Sequence, residues 1–416
     1  MIVTVTPNPA LDLTWHVEKI VPGGTHRADA GAVRAGGKGL NVARVAHTTG
    51  ASVVAVSTVG GATGEELEAE LTAAGVPALL VPVAAPTRRS IALVDEALGD
   101  TTIVNERGIA PTDAEWDALR DAVRRSLSPR SLSEERSDET KGAGRPGERS
   151  VLVISGSVPP GTPDDLLPSL IALGRAAGAI VIADTSGPAL LRAADAGADV
   201  LKPNAAELAE ATGIADPIEG ARELLRRGAS LILLSRGAEG MLAVSADAAA
   251  AVGNDGPSGL PTAGRGAARR AVAVSSVDSG RSDDASVDAG GAARVGDDGP
   301  SGPSTAGRGA ARHAEDISSA ASDGLQVISA RLPEALAGNP TGAGDAAVSA
   351  AAALLASGNH DPEAILRRAT AWSAAAVLMP LAGDIHPSWP ELEAAVIITR
   401  EKRLPARLSP EAKDAS

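Results

Sequence analysis

The chain has 416 residues, and 52 acidic against 38 basic side chains leave a formal net charge of −14; general affinity for nucleic acid or an anionic membrane needs a basic face and is excluded. Cysteine is absent, which excludes disulfides, thiolate nucleophiles and sulfur-ligated zinc and accords with a reducing, cytoplasmic setting. Four Trp with no Phe or Tyr leave almost no platforms for stacking single-stranded bases, so the core must be Ala, Val, Leu and Ile.

The opening Met1-Ile-Val-Thr-Val-Thr reads as a β-strand, without the pattern of a secretory signal, and no run of about 18 apolar residues offers a transmembrane helix. A helix is predicted over 40–49. Short apolar runs at 53–59, 151–155, 180–184, 200–202 and 231–235 predict buried parallel strands, and the stretches 64–75, 163–178 and 218–228 predict helices between them. The first and last of these helices stop at a glycine suited to a helix C-terminus. Such alternation predicts an α/β fold with a doubly wound, mostly parallel sheet flanked by helices. Segments 89–94 and 101–105, on either side of the turn-rich 95–100, read as a hairpin in a small accessory sheet. A last helix is predicted over 346–356.

Two segments fall outside this pattern. Residues 126–150 are polar and charged and predict a solvated loop. Residues 246–324 carry an internal duplication: Asp255-Gly-Pro-Ser-Gly returns at Asp298, and Thr262-Ala-Gly-Arg-Gly-Ala-Ala-Arg returns at Thr305. With hardly any large apolar side chains the two copies cannot bury a core, so they predict a disordered insert rather than a repeat architecture. Length alone, at roughly 150 residues per domain, suggests two to three domains. Setting the inserts aside leaves one domain with a small lid, and a polar tail over 400–416.

Chemistry is most clearly written in Asn339-Pro-Thr-Gly-Ala-Gly-Asp345. Gly342, Ala343 and Gly344 can turn backbone N–H groups into one concavity at a helix N-terminus, where an anion is stabilised, and Asp345 beside it can accept a proton from an attacking hydroxyl. Asp345 equally suits a plain helix cap. A dinucleotide fingerprint at Gly342-x-Gly344-x-x-Ala347 is disfavoured because no strand runs directly into it. Ala35-Gly-Gly-Lys-Gly-Leu-Asn41 fails as a Walker A loop, with Ala32 in place of the first glycine and Gly39 where Ser or Thr should follow Lys38. Its glycines, lysine and amide suit a polyhydroxylated, phosphorylated ligand, or a tight turn with a solvated lysine. In Lys202-Pro-Asn-Ala-Ala-Glu207, Asn204 and Glu207 share one helix face, where they could orient hydrated Mg²⁺ near nucleotide phosphates or simply cap the helix. Ser235-Arg-Gly-Ala-Glu-Gly240 is a polar glycine turn after a strand. The six His are scattered and carry no metal pattern.

Together and in this order, these elements resemble the PfkB carbohydrate kinases of the ribokinase-like fold, in the branch of 1-phosphofructokinase and tagatose-6-phosphate kinase. Further residues carry the likeness: Thr6-Pro-Asn-Pro-Ala-Leu-Asp12, Thr87-Arg88, Asn105-Glu106 and Ser155-Gly-Ser-Val-Pro-Pro-Gly161. The resemblance implies a single kinase domain with Asp345 as catalytic base and Gly342, Ala343 and Gly344 as the anion hole. It implies that Asp12, Gly37, Lys38, Asn41, Arg88, Glu106 and Ser157 bind a sugar phosphate, with Arg88, and Lys38 as a second candidate, on its phosphate. Lys202, Asn204, Glu207, Ser235, Gly237 and Gly240 would serve ATP, with Asn204 and Glu207 reaching Mg²⁺ through water. A β-lid from about 12–17, 28–35 and 89–105 would double as a homodimer contact, with no nucleic acid or membrane partner. The implied reaction is ATP-dependent phosphorylation of a ketohexose monophosphate, foremost fructose 1-phosphate. Tagatose 6-phosphate and fructose 6-phosphate are alternatives, and a non-catalytic sugar-phosphate sensor is a reading from another class. Relatives tend to carry a lysine a few residues after the Thr-Arg pair, whereas this chain has Arg89-Ser-Ile-Ala-Leu, and Pro340-Thr341 replaces the more usual small pair before the anion hole.

Overall fold

In the computed structural model, which describes residues 1–128, 149–246 and 324–400, fourteen strands form two separate sheets. Strands β1 (Ile2–Thr6), β4 (Val53–Val59), β8 (Val151–Ser155) and β9 (Ile180–Asp184) are predominantly apolar and almost wholly buried, as suits strands covered on both faces, with their few polar side chains mostly toward the carboxyl ends. With β5 (Ala78–Pro82), β10 (Val200–Leu201) and β11 (Leu231–Ser235) they form a continuous parallel array in the order β5-β4-β1-β8-β9-β10-β11. Three antiparallel strands extend its far edge: β12 (Met241–Ala246), β13 (Leu325–Arg331) and β14 (Ile397–Arg400).

Ten α-helices flank this sheet among the described residues: α1 (Lys38–Thr48), α2 (Gly61–Ala73), α3 (Asp113–Ser126), α4 (Leu166–Ala176), α5 (Pro188–Asp195), α6 (Ala205–Thr212), α7 (Pro217–Arg227), α8 (Ala343–Ala356), α9 (Pro362–Val377) and α10 (Trp389–Ala395). Their starts follow local chemistry. Thr112 and Glu115 form a reciprocal capping box at α3, and Asp216 and Asp361 accept backbone N–H groups ahead of a proline in the first turn of α7 and α9. In α8, nearly every residue is buried and small, so α1 and α9 pack closely on either side of it.

The second sheet holds four strands in the order β3-β2-β6-β7, with β2 (Ala10–Val17) parallel to β6 (Arg88–Asp95) and antiparallel to β3 (Ala32–Gly36), and with β6 and β7 (Asp100–Asn105) forming the expected hairpin. Its sequence boundaries shift: residues 28–31 are outside any strand, whereas Ala10 and Leu11 belong to β2 and are buried. Helices α1 and α2 each begin two or three residues before their predicted starts, because glycine-rich turns run directly into them. Ser126 is the last residue of α3 and buried rather than the start of a loop. At the other end, Arg400 belongs to β14 rather than to a tail. Ala246, predicted as the start of the duplicated insert, instead closes β12. Residues 129–148 of the predicted polar loop, 247–323 of the insert and 401–416 of the tail lie outside the described residues, which all fall in one compact unit.

Ala246 and Leu325 are direct cross-strand partners at the ends of β12 and β13, so the chain leaves and re-enters the sheet at adjacent points. Replacing residues 247–323 by a short Asn-Gly type turn should therefore preserve the sheet, since partners of this kind stand only about 5 Å apart and loop length enters stability logarithmically. Thermal unfolding of the deletion variant should remain cooperative with a Tm within a few degrees of the parent; a broad or lost transition would show that the sheet depends on the removed segment.

Candidate active site

The parallel strands deliver their carboxyl ends to one cleft of about 1270 Å³, the position expected for a ligand in an open α/β sheet. Every candidate site residue named from the sequence lines it: those of the Asp12, Lys38, Arg88, Glu106 and Ser157 group, those of the Lys202 to Gly240 group, and Gly342 to Asp345.

At its floor, Gly342 is the N-cap of α8 with φ +84, a left-handed conformation that glycine adopts without strain. The next two residues open the helix: the Ala343 N–H donates to the Pro340 carbonyl at 3.2 Å, and the Gly344 N–H has no acceptor within the helix and lies at the positive end of the dipole. A Cβ on Gly344 would lie 3.3 Å from Lys202 Nζ, which places an ammonium beside this anion site. Asp345 stands within the first turn, and its side chain makes no cap; Oδ2 instead accepts a hydrogen bond of 2.9 Å from Asn41 Nδ2 on α1. The capping alternative is thereby removed. Burial and the neighbouring Asp184 carboxylate push Asp345 up to about 7, against the charges of Lys38 and Lys202 and the Asn41 hydrogen bond. A carboxyl poised there is suited to accept a proton near neutral pH.

Asp184, at the end of β9, organises the cations. It lies 3.4 Å from Lys38 Nζ and 3.3 Å from Lys202 Nζ and accepts from Ser155 Oγ at 3.0 Å. Its own burial favours the neutral form, but Lys202 and Lys38 outweigh that and hold it below the usual carboxylate range. In turn Asp184 raises Lys38 above its ordinary value, against burial. Sequence reasoning assigned no role to Asp184 or Asn8; the position of Asp184 at the carboxyl end of a central parallel strand was the signal available.

On one flank, Asp12 is pushed up to about 6 by burial, opposed by Arg88, a hydrogen bond with Ser90 and Arg34. Ser90 thus occupies the stretch where the resemblance led one to expect a lysine. The flanking strand approaches so closely that a Cβ on Gly36 would fall 2.0 Å from Asp12 Oδ2, so a side chain there would displace the Asp12 carboxylate. Arg88 donates to the carbonyls of Glu106 at 3.1 Å and Asn8 at 3.4 Å but pairs with no carboxylate among the described residues. Burial lowers its affinity for a proton, partly offset by Asp12 and Glu106, so the guanidinium is fixed in place and open to an anion. Asn8 Nδ2 donates to Ser157 Oγ at 3.3 Å, and the Glu106 carboxylate accepts the N–H of Arg89 at 2.7 Å.

On the opposite flank, Asn204 and Ser235 are brought side by side by an isolated parallel bridge. Asn204 and Glu207 form a reciprocal capping box: Asn204 Oδ1 accepts from the N–H of Glu207 at 2.8 Å, and Glu207 Oε2 accepts from that of Asn204 at 2.9 Å. The amide oxygen expected to face a hydrated cation is therefore engaged by the helix, leaving Asn204 Nδ2 as a donor. Glu207 Oε1 remains, 3.9 Å from Lys38 Nζ. No cluster of three metal-ligating side chains occurs among the described residues. One free carboxylate oxygen beside an anion site fits a cation carried mainly by phosphate oxygens and water, the usual state of Mg²⁺ at a nucleotide. Gly237 lies in a 3-10 turn and Gly240 packs against the Ala330 carbonyl, giving this flank a bare backbone surface.

The model of the pfkB family of carbohydrate kinases matches residues 8–140 and 130–257. A 1-phosphofructokinase of Xanthomonas campestris is 35% identical over 255 residues, which cover 59% of this chain and 74% of that protein. Among solved structures, phosphofructokinase-2 of Escherichia coli in complex with fructose-6-phosphate superposes with a TM-score of 0.64 at 24% identity, covering 94% of this chain and 98% of that one. Arabidopsis thaliana ribokinase complexed with ribose and ATP gives 0.56 at 18% identity, covering 94% and 98%.

Proposed function

The chain belongs to the pfkB family of carbohydrate kinases and has a ribokinase-like fold, and from that premise we propose that it transfers the γ-phosphoryl group of ATP to a primary hydroxyl of a ketohexose monophosphate, foremost fructose 1-phosphate. The observation that carries the reading is Asp345: a buried carboxyl held by Asn41 and pushed up to about 7, beside a helix N-terminus without a side-chain cap on the cleft floor. A sensor that only bound sugar phosphate would have no need of it.

The substrate's existing phosphate meets Arg88 at the small sheet, which acts as a lid, and its hydroxyls meet Asp12, Asn41 and the backbone around Gly37. Its far hydroxyl then faces Asp345, which takes the proton as the oxygen attacks. Backbone N–H groups of Gly342 to Gly344, with Lys202, stabilise charge on the transferring group, and Lys38 supports the same charge from above. ATP lies on the flank of Asn204, Ser235, Gly237 and Gly240. Mg²⁺, carried by the phosphates with Glu207 reaching it through water, supplies further neutralisation of that charge. Both substrates are charged metabolites that do not cross membranes, in keeping with a cytoplasmic enzyme; no helix among the described residues is long and apolar enough to cross one. Val33 and Val104, aligned on one face of the small sheet through Leu13 and Ile91, are exposed apolar side chains, which supports a homodimer contact there.

ADP release with Mg-ATP against fructose 1-phosphate, tagatose 6-phosphate, fructose 6-phosphate and unphosphorylated fructose tests the proposal. Highest kcat/KM is expected for fructose 1-phosphate; no ADP with any of the four would end the kinase reading. Arg88→Ala should raise KM for the sugar phosphate about 10- to 100-fold with kcat little changed, because it deletes a charge-assisted contact made in ground and transition states alike. If fructose itself were the best substrate, or KM did not move, Arg88 would not be the phosphate ligand.

A further inference from the structure

One ion pair reaches from the small sheet to the back wall of the anion site. Arg34, on β3, donates from Nη1 to the Ala382 carbonyl at 3.0 Å and pairs with Asp384 Oδ2 at 2.7 Å, with both side chains largely buried. Ala382 and Asp384 belong to the loop 378–388 between α9 and α10. That loop is tied to the glycine segment at several points. Asn339 donates its N–H to the Val377 carbonyl and its Nδ2 to the Pro380 carbonyl, both at 2.9 Å, and accepts the N–H of Thr341 on Oδ1. The position a Cβ would take on Gly342 lies 3.0 Å from Ala382, so loop and anion-hole backbone are in direct contact. Gly383 abuts Asn41 Oδ1 in the same way, behind the amide that holds Asp345. At its other end Arg34 faces Asp12 across the β2–β3 ladder and favours its ionised form.

We propose that Arg34 is a positioning residue which, by clamping Ala382 and Asp384, holds the 378–388 loop against Gly342 and Asn41 and so couples the sugar-binding sheet to the anion site. The inference rests on the kinase reading above for its catalytic consequence. Arg34 touches neither the transferring group nor the attacking oxygen; its one Nη1 meets both the Ala382 carbonyl and the Asp384 carboxylate. Displacing the loop by a fraction of an ångström moves the N–H groups that must meet charge in the transition state, and misplacement of about 1 Å at such sites costs about 100-fold.

The test separates the two ends of the clamp. Asp384→Asn leaves Arg34 beside Asp12, and is expected to lower kcat about 10-fold or more with both KM values within about threefold, on the same positional argument. Arg34→Met should show the same fall in kcat together with a raised KM for sugar phosphate. The double variant should be no slower than Arg34→Met alone, the signature of one shared interaction. Amide hydrogen exchange across 341–345 in the free protein should quicken in both single variants, a readout that does not need activity. Additive losses in kcat, or unchanged exchange with a merely lowered Tm, would overturn the proposal. An Asp384→Asn variant with parental kcat would do the same. Should the parent release no ADP on the sugar panel, the kinase reading fails by itself, and the exchange measurement still decides whether the clamp exists.

Discussion

Replacing Asp345 by Asn is expected to lower kcat by about 10²–10⁴-fold, the range typical of general-base loss, while the protein stays folded. Asparagine keeps the size and an oxygen that can still accept from Asn41 Nδ2. What it loses is the proton acceptor. Because burial and Asp184 raise this carboxyl to about 7, ionising it in the folded protein is unfavourable, and its contribution to stability falls as pH rises from the unfolded value of 3.8 through about 7. At pH 8 the variant should therefore melt at the parental Tm or higher. Activity and stability move in opposite directions, which a structural role for Asp345 would not produce. The same titration predicts an acid limb in the parent's kcat/KM near pH 7, shifted to lower pH in Asp184→Asn, since that carboxylate raises Asp345. A kcat for Asp345→Asn within about tenfold of the parent would remove it from the mechanism.

Trp116→Ala should destabilise the fold by about 3–5 kcal/mol, a large share of a typical domain's total of about 5–15 kcal/mol. Trp116 is fully buried on α3, which packs over β1, β4 and β5, so truncation leaves a cavity bounded by rigid strands. Its indole N–H has no hydrogen-bond partner among the described residues. Trp116→Phe should consequently cost far less, because it empties a smaller volume and leaves no donor unsatisfied. Urea unfolding of both variants, followed by circular dichroism, provides the comparison. Equal costs would mean that the indole N–H contributes after all.

The parallel strands were legible from composition because a strand covered on both faces is apolar along most of its length. The spans 53–59, 151–155, 180–184 and 231–235 agree residue for residue with β4, β8, β9 and β11. Elements with weaker local signals escaped: β5 and β14 are partly exposed edges, and α10 has no buried residue. The hairpin β6–β7 could be read from its turn, whereas its neighbour β2 was placed in the lid only through the resemblance, because nothing local in 10–17 specifies a partner more than seventy residues away.

The sequence by itself determined the chemistry at single positions: glycines where a left-handed or closely approached backbone is needed, as at Gly342 and Gly36, and Asp345 directly behind them. Tertiary structure alone decided what each charge does. Asp184 and Asp345 are both buried carboxyls, yet one is held ionised by Lys38 and Lys202 while the other is pushed up to about 7 by burial and by the first. Asn204, legible as either cap or ligand, is assigned to the cap by one hydrogen bond, and the clamp from Arg34 to Asp384 joins residues 350 positions apart. Conformational preference is a property of neighbouring residues and is written locally. Desolvation and Coulomb interaction depend on distances through space, which only the folded chain sets.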